Sequence, residues 1–134
     1  MENCLFVYGT LLPGLAPPDV QPLVEQLQPI GPATTPGRLY DLGEYPGALF
    51  DPSTESRIVG YAFALPDDGP VLLEQFDAYE GYSPDNALQS LFVRVRQSVT
   101  LADGRVVVCW AYHYNQAVGQ APLVAGGDYA RRRR

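Results

Sequence analysis

A carboxylate stands at an unusual position in a helical pattern near the middle of this sequence. In the segment LLEQFDAYEGY, Leu73, Phe76 and Glu80 recur at i, i+3 and i+7, and Leu72 and Tyr79 fall on the same side. Glu80 therefore continues an apolar stripe, and it also lies in the last turn, where the helix dipole disfavours negative charge. Burial and the dipole both raise the pKa of a carboxyl group, which suits general acid–base chemistry near neutral pH.

A second interpretation of Glu80 fits the same spacing. If the helix frays one residue early, the side chain of Glu80 points to water instead of continuing the stripe. Glu74–Gln75 and Asp77–Ala78 fall on the other side of the helix, where solvated residues are expected. The spacing alone leaves both interpretations of Glu80 open.

The first apolar strand ends abruptly in the stretch FVYGTLLPG, where Tyr8-Gly9-Thr10 breaks the pattern. One interpretation is a plain strand end. The other is a ligand-binding loop, because the backbone N–H groups around Gly9, Thr10 and Leu11 can hold a carboxylate or an oxyanion without a cationic side chain. In the loop interpretation Gly9 permits close approach or a positive φ, and in the plain one it only makes the turn.

The charged residues exclude several kinds of chemistry. The sequence has no lysine, which rules out a Schiff base and a P-loop lysine. His113 is the one histidine, and with two separated cysteines a zinc site would depend on carboxylates, so we expect no metal. A net charge of −6 argues against nucleic-acid binding, which requires a basic face. The exception is the run Arg131–Arg134, and a charge block at a chain end usually forms a solvated tail.

Length and patterning indicate one domain over residues 1–130, followed by the arginine tail at 131–134. With 134 residues, the chain can bury one core and is too short for two. The predicted elements are a strand over Cys4–Tyr8, a short helix near Asp19–Leu27, irregular strands within Gly31–Asp51, a strand over Arg57–Leu65 with a bulge or bend at Gly60, a helix capped by Asp68 and ended by Gly81, and a hairpin of Leu91–Leu101 and Arg105–Tyr114.

The last predicted strand, RVVVCWAYHYN, is apolar or aromatic at nearly every residue. We expect such a strand to be covered on both faces, which favours a closed or nearly closed barrel over an exposed sheet. No apolar run approaches the ~20 residues of a membrane-spanning helix, and the start MENC lacks the basic region of a signal peptide. We therefore expect a soluble cytoplasmic protein without a membrane partner, with Cys4 and Cys109 as buried reduced thiols.

Four segments, taken in order, resemble the gamma-glutamylcyclotransferase-like family. They are Tyr8-Gly9-Thr10-Leu11 with Pro13-Gly14, GRLYDLGEYPGALF from Gly37, LLEQFDAYEGY from Leu72, and Arg94 two residues after an aromatic. Together they span most of the chain. The resemblance implies an α+β fold, a small mixed β-barrel with short flanking helices.

The function implied by this resemblance is a cyclotransferase that releases 5-oxoproline from a gamma-glutamyl amine, peptide or related conjugate. The catalytic glutamate of the family lies in an Asp-x-x-Glu-Gly segment, which is Asp77–Gly81 here and makes Glu80 the general acid and base. The Tyr8–Leu11 loop would line the substrate pocket. Tyr40, Tyr82 and Tyr112 are further candidates for substrate contact, although an aromatic residue in a barrel strand is more often part of the core. A small-molecule gamma-glutamyl substrate is the implied partner, with no cofactor.

One departure from the family pattern keeps a second function open. Members commonly carry a tyrosine where this chain has Phe92, two residues before Arg94, so the hydroxyl of that tyrosine is missing here. The alternative hypothesis is a catalytically idle small-molecule-binding domain of the same fold.

Overall fold

The part of the chain that the structure describes contains six strands and three short to medium helices. The computed structural model describes residues 3–12 and 14–132. The strands are β1 (Cys4–Val7), β2 (Gln28–Asp41), β3 (Pro46–Phe50), β4 (Arg57–Ala64), β5 (Phe92–Leu101) and β6 (Val106–Tyr114). The helices are α1 (Gln21–Val24), α2 (Gly69–Glu80) and α3 (Tyr129–Arg132), and 3-10 turns occupy Pro84–Gln89 and Ala125–Gly127.

Five of the strands form a closed barrel. Its strands follow the order β2, β4, β1, β6 and β5, and β5 closes the barrel by pairing with β2 at Ala33 and Thr34. β1 and β6 run parallel, whereas the other pairs are antiparallel. β3 is the extra strand and pairs with the second half of β2. The prediction of an α+β fold with a closed mixed barrel and short helices is confirmed.

Two apolar clusters lie on opposite sides of β1. Cys4 and Phe6 belong to the cluster that fills the barrel, and Leu5 and Val7 belong to the cluster between the barrel and α2. All four residues are buried. A strand covered on both faces is held firmly in the sheet, and the chain segment that follows β1 is therefore anchored at its start.

β6 is covered only along its second half. Val106 and Val108 are 64% and 41% exposed, whereas Cys109, Ala111 and Tyr112 are buried. The prediction that this whole strand is covered on both faces is therefore wrong. Its first residues adjoin the hairpin turn at 102–105, which lies in solvent.

The segment predicted as irregular strands joined by tight turns contains most of β2 and the whole of β3, with a turn between them. β2 has 14 residues and continues through its prolines, with a break in register between Pro29 and Gly31. The prolines and glycines that indicate turns in the sequence are accommodated because β2 changes partners from β4 to β3 along its length. The bulge predicted at Gly60 lies instead in β2. Gly60 is required because any Cβ there would overlap the carbonyl oxygen of Val7.

The first helix is shorter than predicted. α1 covers only four residues within the predicted helix at Asp19–Leu27. Arg131 and Arg132 continue α3, while Pro13, Arg133 and Arg134 lie outside the described residues. None of the helices in the described chain is both long enough and apolar enough to cross a membrane.

Candidate active site

Glu80 is the last residue of α2, and local sequence signals mark both ends of this helix. Pro70 occupies the first turn and Asp68 the N-cap position, although the Asp68 side chain makes no capping hydrogen bond. Gly81 adopts a left-handed conformation with φ of 71° and ends the helix, as its sequence position predicts. The N–H of Tyr82 then donates to the carbonyl of Asp77 at 2.9 Å. The side chain of Glu80 is thereby held at a rigid helix end.

A cavity of about 230 Å³ lies between the end of α2 and the loop after β1. Its walls are mostly apolar or aromatic. The lining residues are Phe6, Val7, Tyr8, Gly9, Thr10, Leu11, Tyr45, Pro46, Tyr79, Glu80, Leu91, Phe92 and Tyr112. Among them, Glu80 alone carries a charged side chain.

The cavity brings together six of the eight residues that the sequence proposed for the site. These six are Tyr8, Gly9, Thr10, Leu11, Glu80 and Tyr112. Tyr40 does not border the cavity, because its neighbour Leu39 points into the barrel core and successive strand residues face opposite sides. Tyr82 does not border it either. The left-handed turn at Gly81 carries the chain past the helix end, where Tyr82 packs against the apolar cluster outside the barrel.

The environment of Glu80 makes it a proton-exchanging group near neutral pH. Burial is the main reason why its pKa rises to about 8, and the charge of Asp77 adds to the rise. Because α2 continues through Glu80 and Glu80 lines the cavity, the interpretation in which the helix frays one residue early is not the one that the fold adopts. A carboxyl with this pKa can both accept and donate a proton at cellular pH.

Asp77 is the main error in the helix assignment. The sequence predicts that Asp77 is solvated, but it is only 4% exposed. Its side chain lies on the face of α2 that contacts β5 and β6. The hydroxyl of Tyr112 donates to Asp77 Oδ1 at 2.7 Å, and Arg94 Nε lies 3.1 Å from the same oxygen without hydrogen-bond alignment. Burial raises the pKa of Asp77, while Tyr112 and Arg94 oppose that rise. Asp77 thus ties the helix that carries Glu80 to the barrel.

The loop after β1 lines the cavity and contacts both Pro46 and Tyr79. The Gly9 carbonyl accepts a hydrogen bond from the N–H of Leu12 at 2.9 Å, but no described residue accepts one from the N–H groups of Gly9, Thr10 or Leu11. A Cβ on Gly9 would lie 2.5 Å from Cγ of Pro46. Close packing, and not a positive φ, is therefore what requires glycine at this position.

Hydroxyl groups on the cavity walls are mostly paired within the protein. The Tyr8 hydroxyl donates to the carbonyl of Tyr112 at 2.6 Å, and Thr10 Oγ1 lies 3.3 Å from the Tyr79 hydroxyl. Burial raises the pKa of Tyr8, Tyr79 and Tyr112, so these phenols stay protonated. The Thr10 contact links the loop directly to the last turn of α2.

Several residues that line the cavity were not identified from the sequence. Tyr45 and Pro46 belong to the turn-rich segment from Gly37, and Leu91 begins a predicted strand, but no local signal marks them as lining residues. Phe92 was noted only for the hydroxyl it lacks. Asp77 did have a signal, because Leu73, Asp77 and Glu80 stand at i, i+4 and i+7. His113 faces away, where its Nδ1 accepts the N–H of Phe50 at 3.2 Å.

Within residues 3–12 and 14–132, no three His, Cys, Asp or Glu side chains come together as a metal site would require. Cys4 and Cys109 are buried and are not joined in a disulfide.

The sequence pattern of one protein family, described as gamma-glutamyl cyclotransferase, AIG2-like, matches residues 5–131. The chain belongs to this family. Membership of the family supports a cyclotransferase-type enzyme function. The resemblance noted in the sequence is confirmed. A comparison with curated proteins finds no match.

Several solved structures superpose on this chain. An AIG2-like protein from Mus musculus is 22% identical with a TM-score of 0.73, and the match covers 95% of this chain and 87% of the mouse chain. YkqA from Bacillus subtilis is 22% identical with a TM-score of 0.71; the match covers 99% of this chain but only 41% of YkqA. A structure named gamma-glutamyl cyclotransferase has a TM-score of 0.54 at 13% identity, covering 90% of this chain and 68% of that one. These similarities show the fold.

Proposed function

We propose that this protein is a cyclotransferase that releases 5-oxoproline from gamma-glutamyl amides, with Glu80 as the general acid and base. The observation that carries the proposal is the position of Glu80, which lies in a cavity beside the Tyr8–Leu11 loop with a pKa near 8. Such a pKa is close to that of an amino group, so a proton can pass in either direction between them with little cost.

The reaction balances without water, a metal or an oxidant. Glu80 as carboxylate takes a proton from the α-ammonium group of the substrate, and the freed amine attacks the side-chain carbonyl carbon. A carbon–nitrogen bond forms in the five-membered ring, and the bond from the same carbon to the leaving nitrogen breaks. Two protons pass in turn from the attacking nitrogen to the leaving nitrogen through Glu80, which ends in its starting state.

Two negative charges on the reacting substrate need donors. The α-carboxylate carries one of them, and the carbonyl oxygen develops the other as the ring closes. Gly9, Thr10 and Leu11 line the cavity, and their N–H groups donate to no described residue. In the proposed mechanism these N–H groups donate to the two oxygens. This role agrees with the absence of lysine from the chain and with the lack of any arginine among the described residues that line the cavity.

A product assay tests the proposal. The protein is incubated with gamma-glutamyl amino acids, peptides and amines, and 5-oxoproline is measured by mass spectrometry. Release from at least one class, lost in Glu80→Gln, is the expected result. If the folded protein binds these compounds in calorimetry but forms no 5-oxoproline, the chain is an idle binding domain and the proposal is wrong.

A further inference from the structure

The two cysteines of the chain lie side by side in the barrel interior. Cys4 is in β1 and Cys109 is in β6, and these neighbouring parallel strands are in register at Leu5 and Trp110. One step back along both strands places Cys4 opposite Cys109. Leu5 and Trp110 pack in the cluster outside the barrel, whereas both cysteines belong to the cluster that fills it. The two thiols therefore face the same side of the sheet.

This placement meets the geometry that a disulfide requires. Neighbouring strands of a sheet run ~4.8 Å apart, which lies within the Cα separation of ~4.4–6.8 Å found across disulfides. The side chains also meet, because Cys109 Sγ donates a hydrogen bond to Cys4 Sγ at 2.7 Å. Cys4 Sγ in turn donates to the carbonyl of Val108 at 3.0 Å, on the same strand as Cys109. A bond between the two sulfur atoms thus needs no movement of the backbone.

Among the described strands of the barrel, β1 and β6 have the shortest pairing. They are in register at the single pair of Leu5 and Trp110, whereas β1 and β4 are in register along the whole of Cys4–Val7. The Tyr8 hydroxyl, which donates to the carbonyl of Tyr112, supports the far end of this pairing. A covalent bond at the near end would reinforce the seam and anchor the strand that leads into the cavity loop.

We propose that Cys4 and Cys109 are a disulfide site, which joins β1 to β6 when the oxidant is a small-molecule disulfide. The bond forms by two thiol–disulfide exchanges. The thiolate of one cysteine attacks the oxidant and releases one small thiol, and the thiolate of the other cysteine attacks the mixed disulfide and releases the second. The two cysteines lose two electrons and two protons, and the oxidant takes up both as two thiols. The bond forms whether or not Glu80 is catalytic.

Burial decides when the bond can form. Both cysteines are buried, and the hydrogen bond to Cys4, together with burial, raises the pKa of the Cys109 thiol. Because the thiolate is the attacking species, the reduced native protein reacts slowly. The bond therefore forms during folding or when the fold opens transiently, and afterwards it is shielded from reductants.

The test compares how strongly the folded and the unfolded chain favour the bond. The protein is equilibrated at several ratios of 2-mercaptoethanol to 2-hydroxyethyl disulfide, once after refolding from urea into buffer and once in concentrated urea. Acid quenching and intact mass give the fraction of the chain that has lost two hydrogen atoms. Trypsin cleaves after arginine and separates residues 1–38 from 106–131, so the bond links these two peptides.

The equilibrium constant for forming the bond should be larger in the folded protein by ~10²-fold or more, because the fold already holds together two residues that are far apart in the unfolded chain. By linkage, the oxidised protein should also unfold at a higher temperature than the reduced one. An equilibrium constant equal to or below that of the unfolded chain overturns the proposal. So does a folded protein that carries a 2-mercaptoethanol adduct on each cysteine.

The double variant Cys4→Ala/Cys109→Ala is the matched control, and its melting temperature should not depend on the ratio of thiol to disulfide. If the wild-type chain does not refold from urea, the native protein is held just below its melting temperature in the same buffers, where transient opening exposes the thiols. Failure to form the bond there, under a ratio that oxidises the chain in urea, also overturns the proposal.

Discussion

The Glu80→Gln substitution should make the protein inactive and more stable at the same time. The folded pKa of Glu80 is about 8, whereas the usual value is 4.5. The folded state therefore keeps a proton that the unfolded chain releases, and stability falls as the pH rises from 4.5 to 8. Each pH unit in that window costs about 1.4 kcal/mol, so the full cost at pH 7 is about 3 kcal/mol, and residual solvent contact lowers it to about 2–3 kcal/mol.

Glutamine keeps the size and shape of the side chain but does not ionise, so the variant escapes this cost. At pH 4 the two proteins should unfold at nearly the same temperature. At pH 7 the variant should unfold roughly 10 °C higher, taking ~4 °C per kcal/mol for a domain of this size. Turnover should fall by at least ~10²-fold, the usual contribution of a general acid–base group.

The assay is a series of thermal melts of both proteins from pH 4 to pH 8, together with 5-oxoproline release at each pH. Glu74→Gln is the matched control, because Glu74 is an exposed residue of the same helix and does not line the cavity. The control should track the wild type in both measurements. A stability difference that does not grow with pH, or a Glu80→Gln protein with normal turnover, would refute the reasoning.

Three further results are expected. In Asp77→Asn, kcat/KM should begin to rise at a lower pH than in the wild type, where the rise is centred at about 8. The substitution removes a negative charge that raises the pKa of Glu80. An unshifted profile would contradict this coupling. Gly9→Ala should lower kcat/KM and destabilise the fold by about 1–3 kcal/mol, because the added methyl overlaps Pro46; a melt equal to that of the wild type would show that no such contact exists. Cys4 and Cys109 should resist a thiol reagent in the folded protein and react after denaturation. Both are buried, and the pKa of Cys109 is raised by its hydrogen bond to Cys4 and by burial. Rapid labelling of the native protein would disprove the burial.

Local pattern was enough to place the helix that carries Glu80, and its limits show at Asp77. The apolar spacing and Gly81 define α2 because they depend only on neighbours within two turns. Asp77 was predicted to be solvated because it was placed on the side of the helix opposite to the apolar stripe. Its burial depends on Tyr112 and Arg94, which come 35 and 17 positions later and reach it only in the folded barrel.

The choice of aromatic wall residues could not be made from the sequence. Tyr40 and Tyr45 stand five positions apart in one turn-rich segment, yet only Tyr45 borders the cavity. Tyr40 lies in β2 with its side chain on the side away from the barrel core, whereas Tyr45 directly precedes Pro46, which begins β3 and packs against Gly9. Strand facing is decided by pairing across the barrel, and prolines and glycines in this segment conceal its alternation.

The pairing of β1 also determines when the site can form. β1 pairs with β4 and with β6, and Tyr8 bonds to Tyr112, which lies 104 positions further along the chain. Contacts this distant in sequence form slowly, and Tyr8 cannot make its hydrogen bond to Tyr112 until β6 has left the ribosome. A chain interrupted before Val106 would therefore present CLFV as an open apolar strand edge, which is the kind of segment that aggregates during synthesis.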